Sequence, residues 1–184
     1  MLVVTIGNIL DDLKIPYAVT GGLAVSILGR IRTTLDIDVI VELPQAKVPA
    51  LTKALKQISD LTYVDEETAL RAVERTGEFN FLHIESGIKV DFFVLGSDAF
   101  SKEKIGRRRP HTINGQSVYL VSPEDLILSK LPWNKQTESS RQLEDVESIL
   151  AIQKNLNRPY LEKWSKLHKT DKVLRELWRK TRSQ

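Results

Sequence analysis

The chain of 184 residues contains no cysteine, and that absence excludes a disulfide framework, a thiol nucleophile, a zinc ribbon and an iron–sulfur site together. Histidine is nearly as scarce. His83, His111 and His168 stand far apart, too scattered for a histidine-built metal site. No apolar run approaches the roughly 20 residues that cross a bilayer, so no membrane span is expected. Met1 to Leu10 carries no basic leader and runs into Asp11-Asp12, which argues against a secretory signal and for a cytoplasmic location. Chemistry in such a chain falls to carboxylates, hydroxyls, Lys and Arg.

What is present is globular in character: 41% hydrophobic and 28% charged residues, enough apolar surface for a core and too much for a disordered chain. The length suits one compact domain, or a domain with an appendage. A net charge of +3 conceals a strong polarity. Lys102–Arg109 holds five basic residues against one acid, and Ala151–Gln184 holds ten against three, leaving −8 on the remainder. The two basic stretches suit a polyanion, although a basic helix face is equally an ordinary solvated surface.

Apolar spacing predicts a helix from Leu2 to Leu13, a strand over Tyr17–Thr20, and a short buried helix over Leu23–Gly29. Leu35–Glu42 is the clearest strand, rich in β-branched residues. A helix over Ala46–Ile58 and another capped by Asp65 come next, then a hairpin of Phe79–Ile84 with Ile88–Leu95. Arg109–Ile113 and Val118–Val121 flank Asn114-Gly115, a favoured type I′ turn pair. From Ser122-Pro123, a hydroxyl cap followed by proline, only helices are expected: 123–131, 138–153 and 159–180. The expected class is α/β (α+β), with a small mixed sheet flanked by helices over residues 1–121. A helical segment, 122–184, is expected to pack on that core.

Three features carry chemistry. Gly21-Gly22 lies between a strand and a helix, where backbone N–H groups meet an anion with the helix dipole behind them, though such turns are common as purely structural features. In Asp36-Ile37-Asp38, residues two apart on a strand project to one face, so two carboxylates sit side by side within an apolar run. A divalent cation relieves that repulsion, and Mg²⁺ prefers oxygen ligands; the alternative is an edge strand with two solvated acids. Asp91 interrupts a second apolar strand, sharing a face with Lys89 and Phe93. If the two strands are neighbours, three carboxylates converge on a site able to hold two metal ions.

The ordered set Gly21-Gly22-Leu23-Ala24, Arg32-Thr33-Thr34-Leu35-Asp36-Ile37-Asp38 and Val90-Asp91-Phe92 resembles the nucleotidyltransferase (polymerase β-like) superfamily. It is most similar to the small prokaryotic branch of abortive-infection and toxin-type enzymes. Ser122-Pro-Glu-Asp-Leu-Ile-Leu-Ser-Lys130 and Arg141-x-x-x-Asp145 are similar to that branch's C-terminal helical motifs. The resemblance implies Asp36, Asp38 and Asp91 as metal ligands and catalytic groups for two Mg²⁺ ions. It implies Gly21, Gly22, Arg32, Thr34 and Lys130 as the set that holds a nucleoside triphosphate. Arg32 alternatively pairs with a local acid, and Asp145 alternatively pairs with Arg141 one helical turn away. The implied reaction moves a nucleoside monophosphate to an acceptor hydroxyl on tRNA, protein or a small molecule, releasing pyrophosphate. An RNA acceptor would be met by Lys102, Lys104, Arg107, Arg108, Arg109 and the basic final helix, and a toxin would have an antitoxin partner. Two other classes stand beside the enzyme: a non-catalytic relative that binds nucleic acid or a partner protein, and a structural module built on Trp133, Trp164 and Trp178.

Overall fold

A computed structural model describes residues 1–137 and 140–182, with side chains described for 1–132 and 140–181. Trp133, as a side chain, lies outside the described set. The chain divides into two compact units, one of Met1–Leu23 with Thr34–Val121 and one of Ala24–Thr33 with Ser122–Gln184.

The first unit is built on a seven-stranded mixed sheet. Its strands are β1 (Tyr17–Thr20), β2 (Asp36–Val41), β3 (Thr62–Val64), β4 (Glu78–His83), β5 (Ile88–Val94), β6 (Arg109–Ile113) and β7 (Gln116–Leu120). Their order across the sheet is β3-β4-β5-β2-β1-β7-β6. β2 runs antiparallel to β1 and parallel to β5, so it is a central strand and its two aspartates do not mark an edge. Burial alternates along β4 and β5, whereas β1 and the end of β2 are buried on both faces. Val19, Ile37, Val39, Val41, Phe79, Phe81, Val90, Phe92 and Val94 are buried together on one face, and Phe79 stacks on Phe92 at 4.9 Å between ring centroids. The carboxylates are left to the other face.

Helices α1 (Leu2–Asp12), α3 (Val48–Lys56), α4 (Glu66–Arg75) and α5 (Ala99–Gly106) complete this unit. α1 buries Val3, Ile6 and Leu10, α3 buries Leu51 and Leu55, and α4 buries Ala69 and Ala72. Asp65 caps α4, accepting from the Thr68 N–H at 2.6 Å. Asn114 and Gly115 both have positive φ, 49° and 76°, as a type I′ turn demands. Two elements have no counterpart in the sequence reading. β3 is only three residues long, and α5 has no apolar stripe, although Asp98 caps it through the Ser101 N–H at 3.0 Å.

Helix α2 (Gly21–Leu28) begins in the first unit and ends in the second. The second unit continues with α6 (Pro123–Thr137), α7 (Ser140–Ile152), α8 (Arg158–Leu167) and α9 (Asp171–Arg182). Ser122 caps α6, its hydroxyl accepting from the Asp125 N–H at 3.1 Å and donating to the Asp125 carboxylate. Asp125 is fully buried and also accepts from the Tyr160 hydroxyl at 2.6 Å. Two expectations are corrected here. α6 continues through Pro132 to Thr137, because an interior proline removes one hydrogen bond without necessarily ending a helix. The final stretch is two helices, separated at Lys169, whose φ of 56° cannot continue an α-helix. Tyr160, Leu161 and Trp164 are the buried stripe of α8; Leu174 and Leu177 are that of α9.

Candidate active site

The sheet's register assembles the carboxylates. β2 and β5 are parallel, with Asp38 beside Asp91 and Asp36 beside Lys89. Paired residues on neighbouring strands point to the same face, about 5 Å apart. Thr20 on β1 is registered with Asp38, and Asn80 on β4 with Asp91. The result is a polar row, Thr20–Asp38–Asp91–Asn80, with Asp36 and Lys89 forming the next rung. Four strands contribute to one patch.

Gly21 and Gly22 stand where β1 ends and α2 begins. Gly21 has φ +61°, and a Cβ added there would lie 1.8 Å from Asp38 Oδ2. No side chain fits that space, and the backbone conformation itself favours glycine. The Gly22 N–H donates to Asp38 Oδ2 at 3.4 Å, so the Asp38 carboxylate lies against the N-terminus of α2, where the helix dipole favours negative charge. Thr34 holds the start of β2, its hydroxyl donating to the Asp36 carbonyl at 3.2 Å.

Sequence alone gives Lys89 a face shared with Asp91 but no function; in the fold its Nζ lies 2.6 Å from Asp91 Oδ2. The hydrogen bond to Asp91, reinforced by the negative charge of Asp91, Asp36 and Asp38, holds the Lys89 ammonium above its ordinary pKa despite partial burial. The signal was present: residues two apart on a strand share a face, which put Lys89 with Asp91.

These residues suit Mg²⁺ by chemistry and by charge. The donors are all oxygen, two of the carboxylates sit one rung apart on a single strand, and three carboxylates with one ammonium leave a charge of −2. Among the described residues no three acidic or imidazole groups are already drawn into one coordination shell. The directions of the side chains explain this, since Asp91 is turned to Lys89 and Asp38 to Gly22.

The remaining motif residues belong to the helical unit. Asp145 on α7 is 1% exposed and takes three cations: Lys130 at 2.9 Å, Arg32 at 3.3 Å and Arg30 at 3.4 Å. Lys130 is also buried and donates to Gln142 Oε1 at 2.9 Å. Arg30 additionally meets Glu144 at 2.7 Å. Arg141 is exposed and donates to the Thr33 carbonyl at 3.3 Å, so the Asp145–Arg141 pairing at i, i+4 gives way to pairing with Arg30, Arg32 and Lys130. Of these partners, Arg30 was not singled out by sequence, because nothing local ties it to a residue more than a hundred positions away.

A mixed sheet with a glycine turn after its first strand and facing acids on two adjacent parallel strands defines a nucleotidyltransferase-type fold. The chain belongs to the family described as nucleotidyltransferases of unknown function (DUF6036), whose profile matches residues 3–179. No curated protein matches it in sequence. Among solved structures it is similar to an antigenic nucleotidyltransferase-like protein from Paracoccidioides brasiliensis: 21% identical over 97% of this chain and 90% of that one, with a TM-score of 0.58. It is also similar to the antibiotic-resistance factor ANT(2'')-Ia, at 17% identity, 95% and 93% coverage and a TM-score of 0.62. A third is the lincosamide antibiotic adenylyltransferase LnuA, at 12% identity, 79% and 92% coverage and a TM-score of 0.55. At such identities the likeness is one of fold. No helix among the described residues is long and apolar enough to cross a membrane.

Proposed function

We propose that the chain is a Mg²⁺-dependent nucleotidyltransferase that moves a nucleoside monophosphate from a nucleoside triphosphate to an acceptor hydroxyl. The observation that carries this reading is the in-register pairing of Asp38 with Asp91 on adjacent parallel strands, with Asp36 on the same face. The acceptor oxygen forms a bond to the α-phosphorus, the bond from that phosphorus to the bridging oxygen breaks, and pyrophosphate leaves. Mg²⁺, when bound, neutralises charge on the phosphoryl oxygens and on the leaving group. Asp36, Asp38 and Asp91 would hold two such ions. Asp91, in completing the site, would also help to orient or deprotonate the attacking hydroxyl. Gly21 and Gly22 would meet the triphosphate through backbone N–H groups at the α2 N-terminus.

The acceptor classes are tRNA, protein and small molecules. Lys102 and Arg109 are exposed and available to an RNA backbone, whereas Lys104 is buried beside Phe100 and Arg108 lies over the Tyr119 ring at 4.8 Å. ANT(2'')-Ia and LnuA, by their names, concern antibiotics, which supports keeping a small-molecule acceptor among these classes. A toxin role with an antitoxin partner belongs to this proposal too.

The test is single-turnover transfer from each of four labelled triphosphates, with Mg²⁺, to tRNA, protein and aminoglycoside acceptors. Wild type transfers label, and Asp38→Asn is slower by about a thousandfold, the scale expected for loss of a charge-stabilising group. Equal behaviour of the two proteins across all acceptors would return the chain to the non-catalytic reading.

A further inference from the structure

Lys89 is a cation that the fold places against these carboxylates, in contact with Asp91. It is anchored to β5 two residues from Asp91 and registered with Asp36, so strand geometry directs its side chain onto the acidic face. Its Nζ contacts Asp91 Oδ2 at 2.6 Å, and the charges of Asp36 and Asp38 also act on it. The carboxylate of Asp91 is the group that would complete a divalent-cation site, and Lys89 has hold of it.

We infer that Lys89 is a resident counter-ion of this site, competing with a divalent cation for the Asp91 carboxylate, so that cation binding proceeds by exchange with its ammonium. The inference rests on reading Asp36, Asp38 and Asp91 as the cation site. Its physical basis is a balance of like demands. Three carboxylates repel one another on adjacent strands, and one ammonium offsets a third of that charge. A divalent ion offsets more, and oxygen ligands bind it directly. Exchange needs no backbone movement, because the Lys89 side chain is 38% exposed and ends a flexible four-carbon stem. Leu82, registered beside Lys89, and Asn80, beside Asp91, bring no second cation to this patch. A lysine here therefore weakens cation binding while protecting the site from its own repulsion.

Mn²⁺ is the probe, titrated alone into the full chain with free ion followed by electron paramagnetic resonance. The proteins are wild type, Lys89→Met, Lys89→Arg and Asp38→Asn. Lys89→Met should bind Mn²⁺ on the order of tenfold more tightly, as expected when one nearby positive charge is removed from a partly exposed site. Lys89→Arg should stay near wild type because it restores the charge, a rescue that a packing role for the methylene stem would not show. In chelator, Lys89→Met should melt lower than wild type and gain more on adding Mn²⁺. If folded Lys89→Met binds Mn²⁺ no more tightly than wild type while Asp38→Asn binds more weakly, the inference about Lys89 is overturned and the site reading stands. If Asp38→Asn binds as wild type does, or if none of the four proteins binds saturably, the site reading falls and the inference with it.

Discussion

Both units of this protein set carboxylates beside cations, in opposite proportions. In the helical unit the buried Asp145 takes Lys130, Arg32 and Arg30. In the sheet unit three acids, Asp36, Asp38 and Asp91, share Lys89. A buried carboxylate with several cations is electrostatically satisfied, and removing it strands the cations. Where carboxylates are grouped around one lysine, a divalent ion is the further partner proposed above. The same residue type thus gathers cations in one place and, on the proposed reading, holds a ligand in another.

The sharpest way to break this contrast is Asp145→Ala. Three cations lose their common partner, and a loss of about 3–5 kcal/mol is expected, read as a lower midpoint in urea. A variant as stable as wild type would mean that Asp145 carries no structural role. Next in size is Gly21→Ala. Its methyl group meets the Asp38 carboxylate and its φ of +61° is unfavourable to alanine, so about 2 kcal/mol of stability should go, and transfer activity with it. Asp38→Asn should behave oppositely to Asp145→Ala in a thermal melt. It keeps an acceptor for the Gly22 N–H but removes repulsion from Asp36 and Asp91, so the midpoint should hold or rise by a degree or two.

The smallest effect is spectroscopic and concerns a buried group with no cation to satisfy. Burial, above all, pushes the Tyr17 phenol up to about 12. The folded state favours the neutral phenol, so its contribution to stability is complete below pH 10 and is lost as pH rises from 10 to 12. Ultraviolet titration of tyrosine ionisation should show a late step that is smaller by one phenol in a Tyr17→Phe variant. An unchanged late amplitude in Tyr17→Phe would assign it elsewhere.

Much of the site was legible because strand alternation is a local property. Asp36 and Asp38 share a face by spacing alone, and so do Lys89 and Asp91. The burial of Val39, Ile40 and Val41 beside the aspartates marks β2 as a central strand. Other features left weak traces. Lys169 breaks the final helix without a glycine or proline to announce it, and α5 hides its regularity in a charged segment with no apolar stripe. Arg30 reaches its acids across more than a hundred residues, a distance over which no periodicity speaks.

By itself, then, the order of residues determined which side chains share a strand face, where most helices begin, and the Gly-Gly, Asp-x-Asp pattern that carries the resemblance. Tertiary structure decided which strands are neighbours and in what register. It brought Asp91 beside Asp38, laid the Asp38 carboxylate against Gly22, and gave Asp145 to Lys130, Arg30 and Arg32 rather than to Arg141. The reason is physical: alternation and capping act over a few residues of chain, whereas pairing and charge neutralisation act over a few ångströms of space, and only the folded chain relates the two.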